Sequence, residues 1–448
     1  MKSRIKDMTQ GKPAGLIISF SLPLMLGNVF QQLYTVVDTM IVGKALGVEA
    51  LAALGANDWL YWMFLGMVQG ISQGFGILMA REFGAKQFER LKKVTGNAVL
   101  LSVVCSALLL ILGQLIAKTA LQLLNTPDKI IGDALLYLRI MFIGIPIAMG
   151  YNLLACVLRA LGDGQTPLNA MILASLINII LDIIFVLIFR WGIAGAAIAT
   201  LIAQFVSGIF CILRLSKIDF MRLGKEHYCI DFSLSRRLLG LGMPMASQNA
   251  IIAIGGMTIQ GVVNGYGVAF MGGFTAANKL YGVLEIAASS YGYAMITYTG
   301  QNLGANRIDR IRYGVRSATI ISIATSLLIS IVMIVLGKPI VGAFISGPPQ
   351  EIIEATRVGY IYLAIMSICL PVLYILHVTR SSLQGLGNTI LPMVSGIVEL
   401  IMRISGVVIL PVLIGENGIF IAEVLAWVGA DMILIPSYFI TLKKVSKI

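Results

Sequence analysis

Long apolar stretches separated by short polar connections run the length of the chain. Residues 13–37 carry no charged side chain, and similar stretches of about 20 or more residues recur to the C-terminus. About 20 helical residues cross a hydrocarbon core roughly 30 Å thick. The pattern predicts twelve membrane-spanning helices, at 14–43, 52–80, 94–124, 130–158, 165–189, 192–214, 238–264, 272–300, 314–345, 353–382, 388–413 and 417–441. The short alternating segments of a membrane β-barrel are absent from the pattern. The expected fold class is therefore an all-α, multi-pass membrane protein. Lys2, Arg4, Lys6 and Lys12 lead into a first span too long and too polar for a cleavable signal, so it reads as a retained helix.

Composition agrees. Hydrophobic residues make up 58% and charged residues 12%, with mean hydropathy +0.90, whereas soluble domains carry about 25% charged residues. The net charge of +12 would suit nucleic acid, but its placement does not. Of the basic residues, 24 fall in the tails and even-numbered connections, among them Lys86, Arg90, Lys93, Arg222, Arg237 and Arg380, against 6 in the odd-numbered connections. Cationic loops face the cytoplasm, which places both termini there and gives no reason to expect a nucleic-acid partner. The five cysteines are scattered and odd in number, and read as small buried hydrophobes.

The chain repeats itself. Ala80 to Ala85, followed by Glu89, Arg90 and Lys92, matches Gly300 to Ala305, followed by Asp309, Arg310 and Arg312. Pro23 matches Pro244, Gly47 matches Gly267, and Leu161-Gly162-Asp163 with Pro167 matches Leu386-Gly387-Asn388 with Pro392. The separations all lie near 220 residues. Two six-helix copies with an even helix count point the same way, so the expectation is two parallel-repeat bundles around a central cleft, suited to alternating access. The expected domains are an N-terminal lobe, 1–214, a cytoplasmic linker, 215–237, and a C-terminal lobe, 238–448.

The candidate chemistry lies in the first copy. Asn28, Gln31, Thr35 and Asp38 step by 3, 4 and 3 along the first helix and share one face. Ser175, Asn178 and Asp182 do the same in the fifth span, and Thr200 lies in the sixth. A carboxylate costs roughly 2.5–3.5 kcal/mol at the centre of a spanning helix, so intramembrane acids mark ion, proton or substrate paths. If these faces converge, two carboxylates, an amide oxygen and a hydroxyl form an all-oxygen set for a hard cation, or two acids that compete for one proton. Asn28, Gln31, Thr35 and Ser175 fit equally well as interhelical hydrogen-bonding residues or as a cavity wall. The second copy places Ile259, Arg403 and Val407 where the first has Asp38, Asn178 and Asp182, so it lacks the cluster. Glu399 and Arg403, four apart on one helix, read as a structural ion pair. Glu285 reads as either a local partner of Lys279 or a cavity residue, His377 as a residue that packs or hydrogen-bonds, and Glu423 and Asp431 as lying toward the water-exposed helix ends. Pro23 removes a backbone hydrogen bond and makes a hinge in the first helix.

At these residues the chain resembles the multidrug and toxic compound extrusion (MATE) family, in its prokaryotic DinF-like branch. The resemblance covers nearly the whole length. It rests on Pro23 with Asp38 in the run Phe30 to Gly43, on Leu161 to Pro167, on Asn178 with Asp182, and on Gly300 to Ala305. It implies an antiporter that exports cationic or amphipathic drugs against inward Na⁺ or H⁺, with no cofactor beyond that ion. Carried over by position, Asp38, Asn178, Asp182 and Thr200 match the family's N-lobe cation site, and Asn152 a polar cavity residue. The branch with a C-lobe sodium site has acids in its seventh and tenth helices, and here the seventh span has none and the tenth has only His377. A flippase for a lipid-linked precursor, of related architecture, is the alternative, but it calls for a more cationic cavity. Enzyme motifs such as His-Glu-x-x-His and Gly-x-Ser-x-Gly are missing. Drug-like small molecules and membrane lipid are the expected partners, in a plasma-membrane protein with nothing that demands a dimer.

Overall fold

The computed structural model describes residues 5–124, 126–345 and 348–446. Lys2, Arg4 and Lys447, which enter the charge bias above, lie outside the described residues. Fourteen α-helices follow one another: α1 (Pro13–Leu46), α2 (Val48–Gly84), α3 (Phe88–Leu123), α4 (Asp128–Ile143), α5 (Ile145–Ala160), α6 (Gln165–Asp182), α7 (Gly192–Leu215), α8 (Phe232–Val263), α9 (Val268–Gly304), α10 (Ile308–Ala343), α11 (Pro349–Ile368), α12 (Leu370–Gly385), α13 (Ile390–Ile414) and α14 (Asn417–Val445). The described residues contain no strand.

Each expected span finds its helix, in two cases as a bent pair. α4 and α5 meet at 46° and α11 and α12 at 51°. Pro146 and Pro371 stand in the first turns of α5 and α12, where the missing N–H and the ring break the ladder. Nine helices cross by length and apolar composition alone, and the bent pairs bring the number to 11. The twelfth span is α9, which is long enough but carries Lys279 and Glu285.

The repeat is also present in the backbone. Gly47 and Gly267, which open α2 and α9, have φ of 86° and 92°, a region side chains with Cβ rarely enter. Asp163 and Asn388 perform one task at matched sites. Asp163 Oδ1 accepts from the Gln165 and Thr166 N–H groups at 3.1 and 2.9 Å, and Asn388 Oδ1 from the Leu391 N–H at 3.2 Å. Both carbonyl-type oxygens hold orphan donors at a helix start.

The chain divides into two compact units. The first comprises the N-terminal residues up to Met8 and Leu22–Ala250, and the second comprises Thr9–Ser21 and Ile251 to the C-terminus. The division falls within α1 and α8, one residue before Pro23 and six after Pro244, and not at the 215–237 connection. α1 runs unbroken through Pro23. In the first unit, Gly70 and Gly74 of α2 press against the backbone of Ala246 and Gly242 in α8, with no room for a Cβ. Small residues permit this close approach, which apolar burial would not drive within lipid.

The connection itself docks on α3. Asn97 donates to Cys229 O at 3.0 Å and accepts from the Asp231 N–H at 2.9 Å. Gly96 lies so close to His227 O that a side chain there would collide. His227 is buried, with Glu89 3.4 Å from its Nε2.

Candidate functional site

The first unit assembles the predicted constellation from three helices. α6 carries Asn178 and Asp182 four residues apart, on a face that is buried while Leu176 and Ile180 face outward. The helix changes at Asp182 to a π-helical turn, Ile183–Ile188, a distortion frequent at functional positions. Asp182 is fully buried, and neither of its carboxylate oxygens has a hydrogen-bond partner. From α1, the Asp38 carboxyl comes within sharing distance of one proton with that of Asp182. From α7, Thr200 Oγ1 accepts from Asn178 Nδ2 at 3.4 Å, which turns the Asn178 carbonyl oxygen away from Thr200 and leaves it without a donor. Gln204, one turn further along α7, also has an unpartnered buried oxygen. Asp38 Oδ1, Asn178 Oδ1, both Asp182 oxygens and Gln204 Oε1 are thus five buried acceptors without a hydrogen-bond donor.

The remaining polar residues of α1 and α6 are occupied otherwise. Thr35 Oγ1 donates to Gln31 O at 3.0 Å, and Ser175 Oγ to Met171 O at 2.8 Å. Both hydroxyls return to their own helix, the back-bonding that hydroxyl residues adopt in membrane helices. Asn152 Nδ2 likewise donates to Ala148 O at 2.9 Å. Gln31 reaches Tyr34, and Asn28 is half-buried on α1. The described residues hold no group of three or more His, Cys, Asp or Glu side chains placed to hold a metal ion.

The second unit also contains buried ionisable groups, and there each carboxylate but one meets a base. The Glu399–Arg403 pair is one part of a larger network. Glu399 bonds chiefly to Arg380 of α12, and Arg403 lies 3.8 Å from Glu399 and 3.7 Å from Glu423. Arg380 is therefore not a connection residue, as its place near the end of a span suggested, but a buried member of this network. Asp431 is buried in α14 and the Glu423 side chain is only 13% exposed, so neither lies open to water at a helix end. His377 Nε2 lies 3.5 Å from Glu285, which takes this partner and not Lys279. Tyr362 donates to Glu423 at 3.2 Å. Asp431 Oδ1 lacks a hydrogen-bond partner, as do the Nε atoms of Arg380 and Arg403.

The family model for MatE matches residues 23–184 and 244–409. The two matched segments begin at Pro23 and Pro244, the repeat's own anchors. A Bacillus subtilis protein named probable multidrug resistance protein YpnP is 30% identical over 92% of this chain and 92% of its own length. The chain belongs to the MATE family of transporters. A Shewanella oneidensis relative named FAD transporter is 24% identical over 74% of this chain and 75% of its own. Among solved structures, the outward-facing conformation of a multidrug resistance MATE family transporter of the MOP superfamily aligns over 100% of both chains, with a TM-score of 0.91 at 21% identity. The protein is thus a multi-pass membrane transporter with the twelve-helix MATE architecture.

Within this MATE protein, four residues of the first-unit site lie outside the sequence prediction. Tyr34 and Tyr137 lie near enough to Asp38 to feel its charge, and Tyr61, which interacts with both tyrosines, hydrogen-bonds Gln204. Gln204 carried a signal, because it follows Thr200 by four residues on α7. The tyrosines carried none, since aromatic residues in membrane helices are more often lipid-facing or core. Glu285 belongs to the second unit.

Proposed function

We propose that this MATE transporter is an antiporter that exports cationic or amphipathic compounds in exchange for inward Na⁺ or H⁺. The coupling ion binds at Asp38, Asn178, Asp182 and Thr200. One observation carries the reading: two carboxylates from different helices face each other in the membrane with no basic partner among the described residues of the first unit, whereas the second unit's buried acids, Asp431 excepted, have theirs. Leaving two such charges unpaired is costly, and the cost is offset only when an ion or proton binds. The oxygen donor set suits Na⁺ and a shared proton equally.

Ion binding removes the repulsion between Asp38 and Asp182 and changes how α1 packs. Pro23 stands beside the point where α1 passes between the two units, with one backbone hydrogen bond missing, and serves as the hinge. Drug binding and ion binding favour different states, and that differential affinity is the coupling. The charge bias supports cytoplasmic termini, and the proposed location is the plasma membrane. The acidity of the site supports cationic cargo over the pyrophosphate cargo of a flippase. Asn28, Gln31, Thr35, Asn152, Ser175 and Glu285 are proposed to contact the exported compound.

The test is efflux of a cationic dye from proteoliposomes with Na⁺ and H⁺ gradients imposed separately. Wild-type protein responds to one of the two gradients, and Asp38→Asn responds to neither while inserting normally. Gradient-driven efflux retained in Asp38→Asn would refute the assignment.

A further inference from the structure

Where the connection docks on α3, a cavity of about 450 Å³ opens between the start of α3 and the start of α8. Arg90, Lys93 and Arg237 supply three cations to its wall, with the Ser233 hydroxyl beside them. Two acids share the wall, and both are engaged. Glu89 holds Lys92 at 2.7 Å and faces His227, and Asp231 accepts from the Leu234 N–H at 3.0 Å. Arg90 Nε lies 3.3 Å from the buried Glu82. Lys93 and Arg237 have no carboxylate within ion-pair distance among the described residues, and both are exposed. Three cations against two carboxylates leave the cavity wall net positive, at a volume typical of small-molecule sites.

The surroundings identify the anion. Tyr228, Ile230 and Phe232 rise beside the cavity at 45%, 63% and 87% exposure. Three large apolar side chains in a row beside unpaired cations, at the ends of two membrane helices, describe the headgroup level of a bilayer. The charge bias puts this end on the cytoplasmic side, where anionic lipid lies. We propose that the cavity binds the phosphate of an anionic phospholipid headgroup. Lys93 and Arg237 neutralise the phosphate, Ser233 donates to it, and Ile230 and Phe232 lie along the acyl chains. The site would tether the docked connection to the membrane surface.

The test uses the full chain in mixed bilayers of phosphatidylglycerol and phosphatidylcholine, with retained lipid counted by native mass spectrometry. Wild-type protein is expected to retain phosphatidylglycerol selectively. Each cation near an anionic surface is worth about fivefold in affinity, so the double variant Lys93→Gln/Arg237→Gln should lose about 25-fold. Lys93→Arg/Arg237→Lys keeps both charges and should retain the lipid, which separates charge from misfolding. Millimolar inorganic phosphate should not displace it. Equal retention by wild type and the Gln variant, equal retention of phosphatidylcholine, or displacement by inorganic phosphate would each overturn the proposal. None of these readouts depends on transport or on the Asp38 site.

Discussion

Replacing Asp182 by Asn tests the coupling site most directly. The change keeps shape and volume, leaves the Asn178–Thr200 hydrogen bond untouched, and removes one of the two buried charges. A unit charge about 4 Å from a bound cation contributes about 4 kcal/mol at an effective dielectric near 20. Its loss weakens ion binding roughly a thousandfold. In the absence of ion the effect on stability has the opposite sign. Both Asp182 oxygens are buried without donors and face Asp38, so the neutral side chain relieves repulsion and desolvation. The assay is thermal unfolding in detergent with and without the coupling ion. At a hundredfold excess over Kd, ion binding stabilises the wild type by about 2.7 kcal/mol. Asp182→Asn should unfold at a higher temperature than wild type in ion-free buffer and gain nothing on adding ion. An ion-dependent rise as large as the wild type's would show that the buried carboxylate does not bind the ion, and the reasoning would fail.

Three further outcomes are expected. Arg380→Gln leaves Glu399 with only Arg403 at 3.8 Å and should cost about 3–5 kcal/mol, while Arg380→Gln/Glu399→Gln recovers most of it; a double variant as unstable as the single would show the pair is not the source. Asn97→Ala removes the bonds that hold Cys229 and Asp231 and should cost about 1–3 kcal/mol locally, read as faster proteolysis within 215–237; unchanged cutting would mean other contacts hold the connection. Lys92, and after it His227, hold Glu89 below its ordinary carboxyl value of 4.5. A lowered folded value means its contribution is present above the unfolded value and lost as pH falls through the folded one. Proteolysis of the connection should therefore increase below about pH 4.5, and Glu89→Gln should flatten that dependence.

The expected fold was legible because its signals are local. Hydrocarbon thickness sets span length, glycine is demanded where φ is positive, and one Asx residue caps a helix in each repeat, so Gly47 with Gly267 and Asp163 with Asn388 announce the duplication before any contact is known. The one-face spacing of Asn178 and Asp182 is likewise a property of a single helix. Bringing Asp38 to Asp182 is not, because helix periodicity says which residues share a face but not which faces meet. That is why Gln204 and the three tyrosines escaped notice, and why Arg380 passed for a loop residue when it pairs with Glu399 from another helix. It is also why Glu285 could not be given its partner: Lys279 was the nearest base in sequence, and His377, nearly a hundred residues on, is the nearest in space. The chain itself determined the twelve crossings, the repeat and the acids to watch. Tertiary packing decided which of those acids found a base and which were left with only each other, since pairing of buried charges depends on distances between helices that no periodicity encodes.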